Sequence, residues 1–277
     1  MKKTILFLIL LLCFSCKDTT RKSSVKKTDS KSTKAIEQKN IKVTNTIDAD
    51  SLELNEVLIG ALKTAKANIH KNYFKKEYHT LSKKRTYQVT VNMEFGSLFS
   101  KKYKHLIVHL GTENGTSINV YKLKNNDFKF LFYRNDGSAY MNDTLRDVNG
   151  DNKKDFLVHW YPLAGCCLRN VYNVYLFKEE DGTFTKDFEF INPTFYPKEK
   201  IIRGVNYGYM ASLYKYKWNK HSVDTLEFII KDTANNSQYY ITKKSDYNRP
   251  PIVKSKIVSK LPKEYRNIDD IDWFDAN

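Results

Sequence analysis

In the stretch "LRDVNGDNKKDFLV", residues 145–158, Asp147, Asn149, Asp151 and Asp155 fall within nine positions and lead straight into an apolar run. Oxygen donors at relative positions 1, 3, 5 and 9 suit a calcium ion, which takes about six to eight oxygens at short range. The backbone carbonyl of Lys153, at position 7, offers one more. Three carboxylates in one tight turn repel one another unless a cation balances them. The spacing therefore predicts a structural Ca2+ site formed by Asp147, Asn149, Asp151, Lys153 and Asp155. Position 12 is Val158 rather than Glu, which excludes an EF-hand. An Asx-rich turn without an ion, leading into a strand, is the alternative.

Other candidate chemistry is sparse. Cys166 and Cys167 in "AGCCLRN" are the only cysteines beyond residue 16. They form either a strained vicinal disulfide that stiffens a loop displaying Arg169, or two separate thiols. No histidine stands near them in sequence to activate a nucleophile. His105 and His109 share one face of a candidate strand but lie about 13 Å apart at strand rise, too far to share a zinc. A hydrogen-bonded structural histidine is the default reading for each. G-x-S-x-G, H-E-x-x-H, a phosphate-cradling glycine loop and CxxC are all absent. No pair of acids has a spacing that argues for glycoside cleavage. The expectation is a binding protein with no catalytic residues.

The elements that must position the acidic turn are mostly strands. Nineteen Tyr and 16 Phe in 277 residues favour pleated, half-buried surfaces. Candidate strands cover 86–95, 104–111, 117–123, 127–134, 155–162, 170–178, 183–190, 209–218, 223–232, 238–244 and 252–261, separated by turn signals such as "ENGT", "KNND" and "EEDGT". Many short antiparallel strands mean a sandwich, barrel or propeller. Before them, "DADSLELNEVLIGALKTAKANIHKNYFKKEYHTL" places Leu54, Leu58, Ala61, Leu62, Ala65 and Ile69 on one apolar stripe and reads as an N-terminal amphipathic helix packed on the main domain.

Ahead of the helix lie two segments that do not fold with it. Lys2 and Lys3 precede the apolar run Ile5–Phe14, too short to span a bilayer, so residues 1–15 read as a signal peptide. Residues 17–45 hold nine Lys/Arg against three Asp/Glu and no aromatic, the composition of a flexible tether. Of the formal +16, about +8 remains on residues 46–277. A strongly basic nucleic-acid binder is therefore not expected.

Two resemblances sharpen this outline. Cys13-Phe14-Ser15-Cys16 resembles a bacterial lipoprotein lipobox. It implies a lipid on Cys16, a basic tether over 16–48, and membrane attachment through that anchor. Lys17 in place of Asp leaves delivery to the outer membrane open, facing periplasm or surface. "DVNGDNKKDFLV" resembles the calcium loop of FG-GAP/VCBS-type repeats, with Asn152 where Gly is usual; Asn tolerates the left-handed backbone. Residues 143–232, including "GCCLRNVYNVYLFKEEDGTFTKDFEFINPTFYPKEKIIRGVNYG", are similar to bacterial envelope lipoproteins with one such loop and a β-propeller-like fold. That group includes immunity proteins that inhibit lysozyme-type peptidoglycan hydrolases.

The resemblance implies a mainly β, antiparallel, propeller-like domain over 49–277 and a peptidoglycan hydrolase or other envelope protein as partner. Lysozyme inhibitors on β-scaffolds share an S-G-x-x-Y-type loop. Asp136-Gly137-Ser138-Ala139-Tyr140 is similar, with Gly137, Ser138 and Tyr140 as the recognition residues and Asp136 in place of the first Ser. Arg203, Gly204 and Tyr207 in "RGVNYGY" match the spacing as well and add a cation suited to an acidic cleft. Gly-containing turns with a packed Tyr explain both stretches without a partner. The alternative function is an envelope scaffold or surface-glycan-binding lipoprotein of the same fold.

Overall fold

The computed structural model describes residues 49–82, 84, 87–164, 169–207, 211–232, 238–243 and 256–275. Cys16, the tether and the Cys166–Cys167 pair lie outside the described residues. Among the described residues no helix is long and apolar enough to cross a membrane. Helix α1 (Ala49–Lys66) is followed by β1 (Tyr73–Leu81), β2 (Gln88–Gly96), β3 (His105–Thr112), β4 (Gly115–Lys124) and β5 (Asp127–Asn135). These five strands form one antiparallel sheet in chain order. A 3-10 turn, Gly137–Ala139, leads to β6 (Tyr140–Arg146), β7 (Asp155–Trp160) and β8 (Val171–Tyr175). The small hairpin β9 (Phe177–Lys178) and β10 (Thr183–Phe184) precedes β11 (Phe188–Ile191), which returns beside β8. The third sheet runs in order through β12 (Pro193–Tyr196), β13 (Ile201–Val205), β14 (Leu213–Asn219), β15 (Ser222–Lys231), β16 (Tyr239–Thr242) and β17 (Lys256–Val258). A 3-10 turn at Lys263–Tyr265 and helix α2 (Asp272–Asp275) end the chain's described part.

The period of two in each strand sends neighbouring residues into different cores. In β3, Leu106 and Val108 pack with Ala61 and Ala65 of α1, whereas Ile107 packs toward Phe156 and Val158 of the second sheet. In β7, Leu157 turns the other way, to meet Ile202 and Tyr214 of the third sheet. In β14 and β15, Leu213 and Ile229 leave that core to pack with Tyr265, Ile268 and Phe274 near the C-terminus. Four apolar layers thus alternate with the three larger sheets, and β9 and β10 pair in a small sheet of their own. Fully burying an aliphatic or aromatic side chain is worth ~1.5–3 kcal/mol, so these alternating runs are what hold the layers together. The β4–β5 turn is Asn125-Asn126 with both φ positive, the mirror-image turn that matches strand twist.

Several elements differ from the sequence reading. Only the first part of the stretch read as helical is helix; Tyr73–Leu81 pairs along its whole length with β2. Its Lys75 and Lys76 suit an edge strand, where charge discourages further pairing. Strands β6, β12 and β13 lie outside the candidate strands of the sequence. β6 is an edge strand, mostly exposed, without clean alternation, and β13 carries Arg203 and Gly204, which mimic a turn. The candidate strand 183–190 divides between β10 and β11, which belong to separate sheets.

Gly204 is a packing requirement. A Cβ there would lie 2.3 Å from Tyr214 Oη and 2.6 Å from the Asn192 carbonyl oxygen. The Tyr214 hydroxyl donates to Ile191 O (2.8 Å), so it is not free to move aside. Gly204→Ala should lower stability by ~1–3 kcal/mol, read as a lower urea midpoint at unchanged slope.

Candidate functional site

The acidic turn joins β6 to β7. Asp147 accepts N–H bonds from Gly150 (2.7 Å) and Asn152 (2.8 Å), and Asp151 accepts one from Lys153 (2.8 Å). Asn149 is buried; its Oδ1 accepts from Asp151 N–H (3.1 Å) and its Nδ2 donates to Asp151 Oδ2 (3.2 Å). Gly150 has φ +74°, and a Cβ would fall 2.1 Å from Pro197 O, so only glycine fits. Asn152 takes the left-handed conformation at φ +65°.

Asp155 is fully buried and accepts from Val148 N–H (3.1 Å) and Phe177 N–H (3.0 Å), tying the turn to the start of β9. Burial pushes its carboxyl up to about 7; the two N–H bonds oppose this, and the charges of Asp151 and Asp147 add to it. The group therefore lacks a compensating positive charge. Among the described residues, no three His, Cys, Asp or Glu side chains gather as a metal cluster.

The Gly137-Ser138-Ala139 turn is mounted on a built network. Gly137 has φ +55°, and the turn rests on Gly115, where a Cβ would lie 2.0 Å from the Gly137 carbonyl carbon. Ser138 is exposed and donates to Asn114 O (3.3 Å). Asp136 does not face outward as an uncompensated charge. Arg134 donates to both of its oxygens (2.6 Å each) and to Asn173 Oδ1 (2.9 Å).

Tyr140 is half-buried, and its hydroxyl donates to Asp143 Oδ1 (2.5 Å), which also bonds His109 Nε2 (2.7 Å). Burial, then the neighbouring Asp143 charge, push the Tyr140 phenol up, so it keeps its proton. Burial pushes the Asp143 carboxyl up too, but the His109 bond and charge and the Tyr140 hydroxyl outweigh it and hold the group below its ordinary value.

This network forms one wall of a groove of about 490 Å3 between the face of β1–β4 and strand β6. The opposite wall carries Lys75, Glu77, Thr90, Asn92 and Glu94. Strand register assembles it: Lys75 lies opposite Glu94, Glu77 opposite Asn92, and Asn92 opposite His109. Sequence reasoning missed Asp143, Glu77 and Glu94. The polar half of "VTVNMEF" was the available signal, since Thr90, Asn92 and Glu94 alternate with buried Val89, Val91, Met93 and Phe95.

His105 is a structural histidine. It is fully buried, its Nε2–H donates to Gly182 O (3.0 Å), and it sits edge-on to Phe99 and Phe177. Burial pulls its pKa down to about 4, so the ring is neutral.

The second candidate loop departs from its expected role. Arg203 is buried, donates to Glu199 Oε2 (2.9 Å) and stacks 4.5 Å from the centroid of the Tyr196 ring. It presents no cation to a partner. Gly204 is held by packing against Tyr214, and only Tyr207, 41% exposed, reaches the surface. Arg169 is likewise not displayed. It is buried, with its guanidinium 3.2 Å from the centroid of the Trp273 ring and 5.7 Å from that of Tyr207. The two loops lie on different sheets, Tyr140 opening β6 of the second and Arg203 and Gly204 within β13 of the third. No protein-family model matches this chain, no curated protein matches it, and no solved structure matches it.

Proposed function

We propose that this chain is a lipid-anchored envelope protein that binds and inhibits a peptidoglycan-cleaving enzyme of the lysozyme type, with a structural calcium ion in the 147–155 turn. The observation that carries this reading is the exposed Ser138 turn, seated on Gly115 and flanked by an Asp136 whose charge Arg134 already balances. Such a tip enters an acidic cleft without adding repulsion, and its rigid mounting spares ordering cost on binding. Lipid attachment at Cys16 and delivery to the outer membrane rest on the lipobox-like sequence. The propeller-like reading draws support from consecutive meander sheets packed face to face, as blades are, with α1 as an amphipathic cover on the first.

Calcium would be held by the side chains of Asp147, Asn149, Asp151 and Asp155 and the carbonyl of Lys153. The donor set suits a hard cation, because every group is an oxygen and each carboxylate oxygen keeps a second lone pair beyond its N–H bond. The ion would supply the positive charge that buried Asp155 lacks.

The test is inhibition of a lysozyme-type hydrolase by the mature chain. Ser138→Arg places bulk at an exposed tip and should leave thermal melting unchanged while weakening inhibition at least tenfold. Absence of inhibition by the unaltered chain, or inhibition indifferent to Ser138→Arg, refutes the reading. Retention of a polysaccharide with no effect on any hydrolase would put the glycan-binding alternative in its place.

A further inference from the structure

We infer that Asn114 is a modification site in the folded chain: its side-chain amide is displaced by the Gly115 nitrogen, and water converts the position to aspartate or isoaspartate. The chain holds two Asn-Gly pairs, Asn114-Gly115 and Asn149-Gly150. Glycine makes such a pair reactive. With no Cβ it leaves its nitrogen unshielded and its backbone free to bring that nitrogen to the preceding side chain.

The fold treats the two pairs in opposite ways. Asn149 is buried, its Oδ1 accepts from Asp151 N–H (3.1 Å) and its Nδ2 donates to Asp151 Oδ2 (3.2 Å). The Gly150 N–H that would attack it donates to Asp147 Oδ1 (2.7 Å). Amide and nucleophile are both held. Asn114 is exposed at the tip of the β3–β4 hairpin, and its side-chain amide makes no hydrogen bond among the described residues. Only the main chain is fixed there: Asn114 N–H donates to Thr112 Oγ1 (3.2 Å), and that hydroxyl donates to Gly115 O (3.2 Å). Nor can a bulkier residue shield the pair. Gly115 has φ +123°, and a Cβ on it would lie 2.0 Å from the Gly137 carbonyl carbon. The seat of the Ser138 turn thus obliges the chain to keep the glycine that exposes Asn114.

The step balances with water as its one co-reactant. The Gly115 nitrogen bonds to Asn114 Cγ, the Cγ–Nδ2 bond breaks, and the proton of the attacking nitrogen leaves with Nδ2 as ammonia. A cyclic imide remains. Water opening it at Cγ gives aspartate; water opening it at the main-chain carbonyl gives isoaspartate, whose backbone runs through Cβ and Cγ. Either product adds a negative charge, and the second lengthens the chain by a methylene. Ser138 donates to the Asn114 carbonyl oxygen (3.3 Å) and Gly137 rests on Gly115, so the change falls on the support of the Ser138 turn. The inference stands whether or not that turn inhibits a hydrolase.

The full mature chain, kept folded in mildly alkaline buffer and sampled by peptide mass mapping with isoaspartyl methyltransferase labelling, decides it. Conversion should run at least tenfold faster at Asn114 than at Asn149. In urea strong enough to unfold the chain, the two rates should come within a few-fold of each other, because neighbouring sequence alone then governs both. Asn114→Gln keeps an exposed amide, so it should melt with the unaltered chain while the hairpin peptide loses its label. Absence of conversion at Asn114 in the folded chain, equal folded-state rates at the two asparagines, or a rate ratio unchanged by urea overturns the inference.

Discussion

Arg134→Ala should lower stability by ~3–5 kcal/mol, the range seen when one partner of a buried ion pair is removed. Arg134 leaves β5 in the first sheet and reaches Asn173 and Tyr175 of β8 in the second, besides both oxygens of Asp136. Asn173 is buried, accepts from Trp160 Nε1 (2.7 Å) and donates to Asp187. Deleting the guanidinium strips Asp136 of its charge partner and Asn173 of a donor, and opens the polar seam between two sheets. Arg134→Lys should recover little, since an ammonium cannot reproduce the paired bonds to one carboxylate. Chemical denaturation measures both. A loss under about 1 kcal/mol would mean that the Phe132–Tyr175 stacking between these sheets suffices without the ionic seam. The same substitution frees the Asp136 charge beside the Ser138 turn and should weaken inhibition further than the stability loss explains.

Calcium should stabilise the protein by several kcal/mol near pH 7.5 and by almost nothing at pH 4.5. Asp155 titrates at about 7 in the fold and near ~3.9 when unfolded. Its native-state proton thus contributes stability that is fully present below about pH 4 and is lost as pH rises through 7. At about 1.4 kcal/mol per unit, the loss approaches ~4 kcal/mol. His105 works in the opposite sense. Held down at about 4, it contributes stability above ~6.5 that is lost as pH falls toward 4. The two slopes oppose each other, so the metal-free chain should show a shallow pH profile between 4.5 and 6.5. The calcium difference isolates Asp155, because an ion there replaces the proton. Urea midpoints with calcium and with chelator at both pH values check this. Equal midpoints at pH 7.5 would remove the ion from the turn.

How much of this was legible depends on whether the relevant information is local. The left-handed Asn152 and the strand in "HLIVHLG" are written within a few residues and appear where expected. The groove is not local. Glu77, Asn92 and His109 meet because two strand registers align them, and no window of sequence contains all three. Charge balance is equally hidden. In the sequence Asp136 is a lone carboxylate where a Ser is usual, and the fold pairs it with Arg134; Arg203 is a cation in a candidate loop, and the fold encloses it with Glu199 and Tyr196. Apolar patterning located most strands but missed β1, β6, β12 and β13; lysines on an edge in β1 and an Arg-Gly pair in buried β13 contradict the usual cues.

The order of the sheets has a consequence for how the chain acquires its structure. Apart from the return of β11 to β8, each strand's hydrogen-bonded neighbours are its neighbours along the chain. Loop closures are therefore short, and such topologies fold quickly for their strand content. The first meander can form while later residues are still being synthesised, and each new one docks on a face already made. The middle sheet alone is covered on both faces by other sheets. Its amides should be the last to exchange with solvent deuterium, and β17, a three-residue edge, among the first.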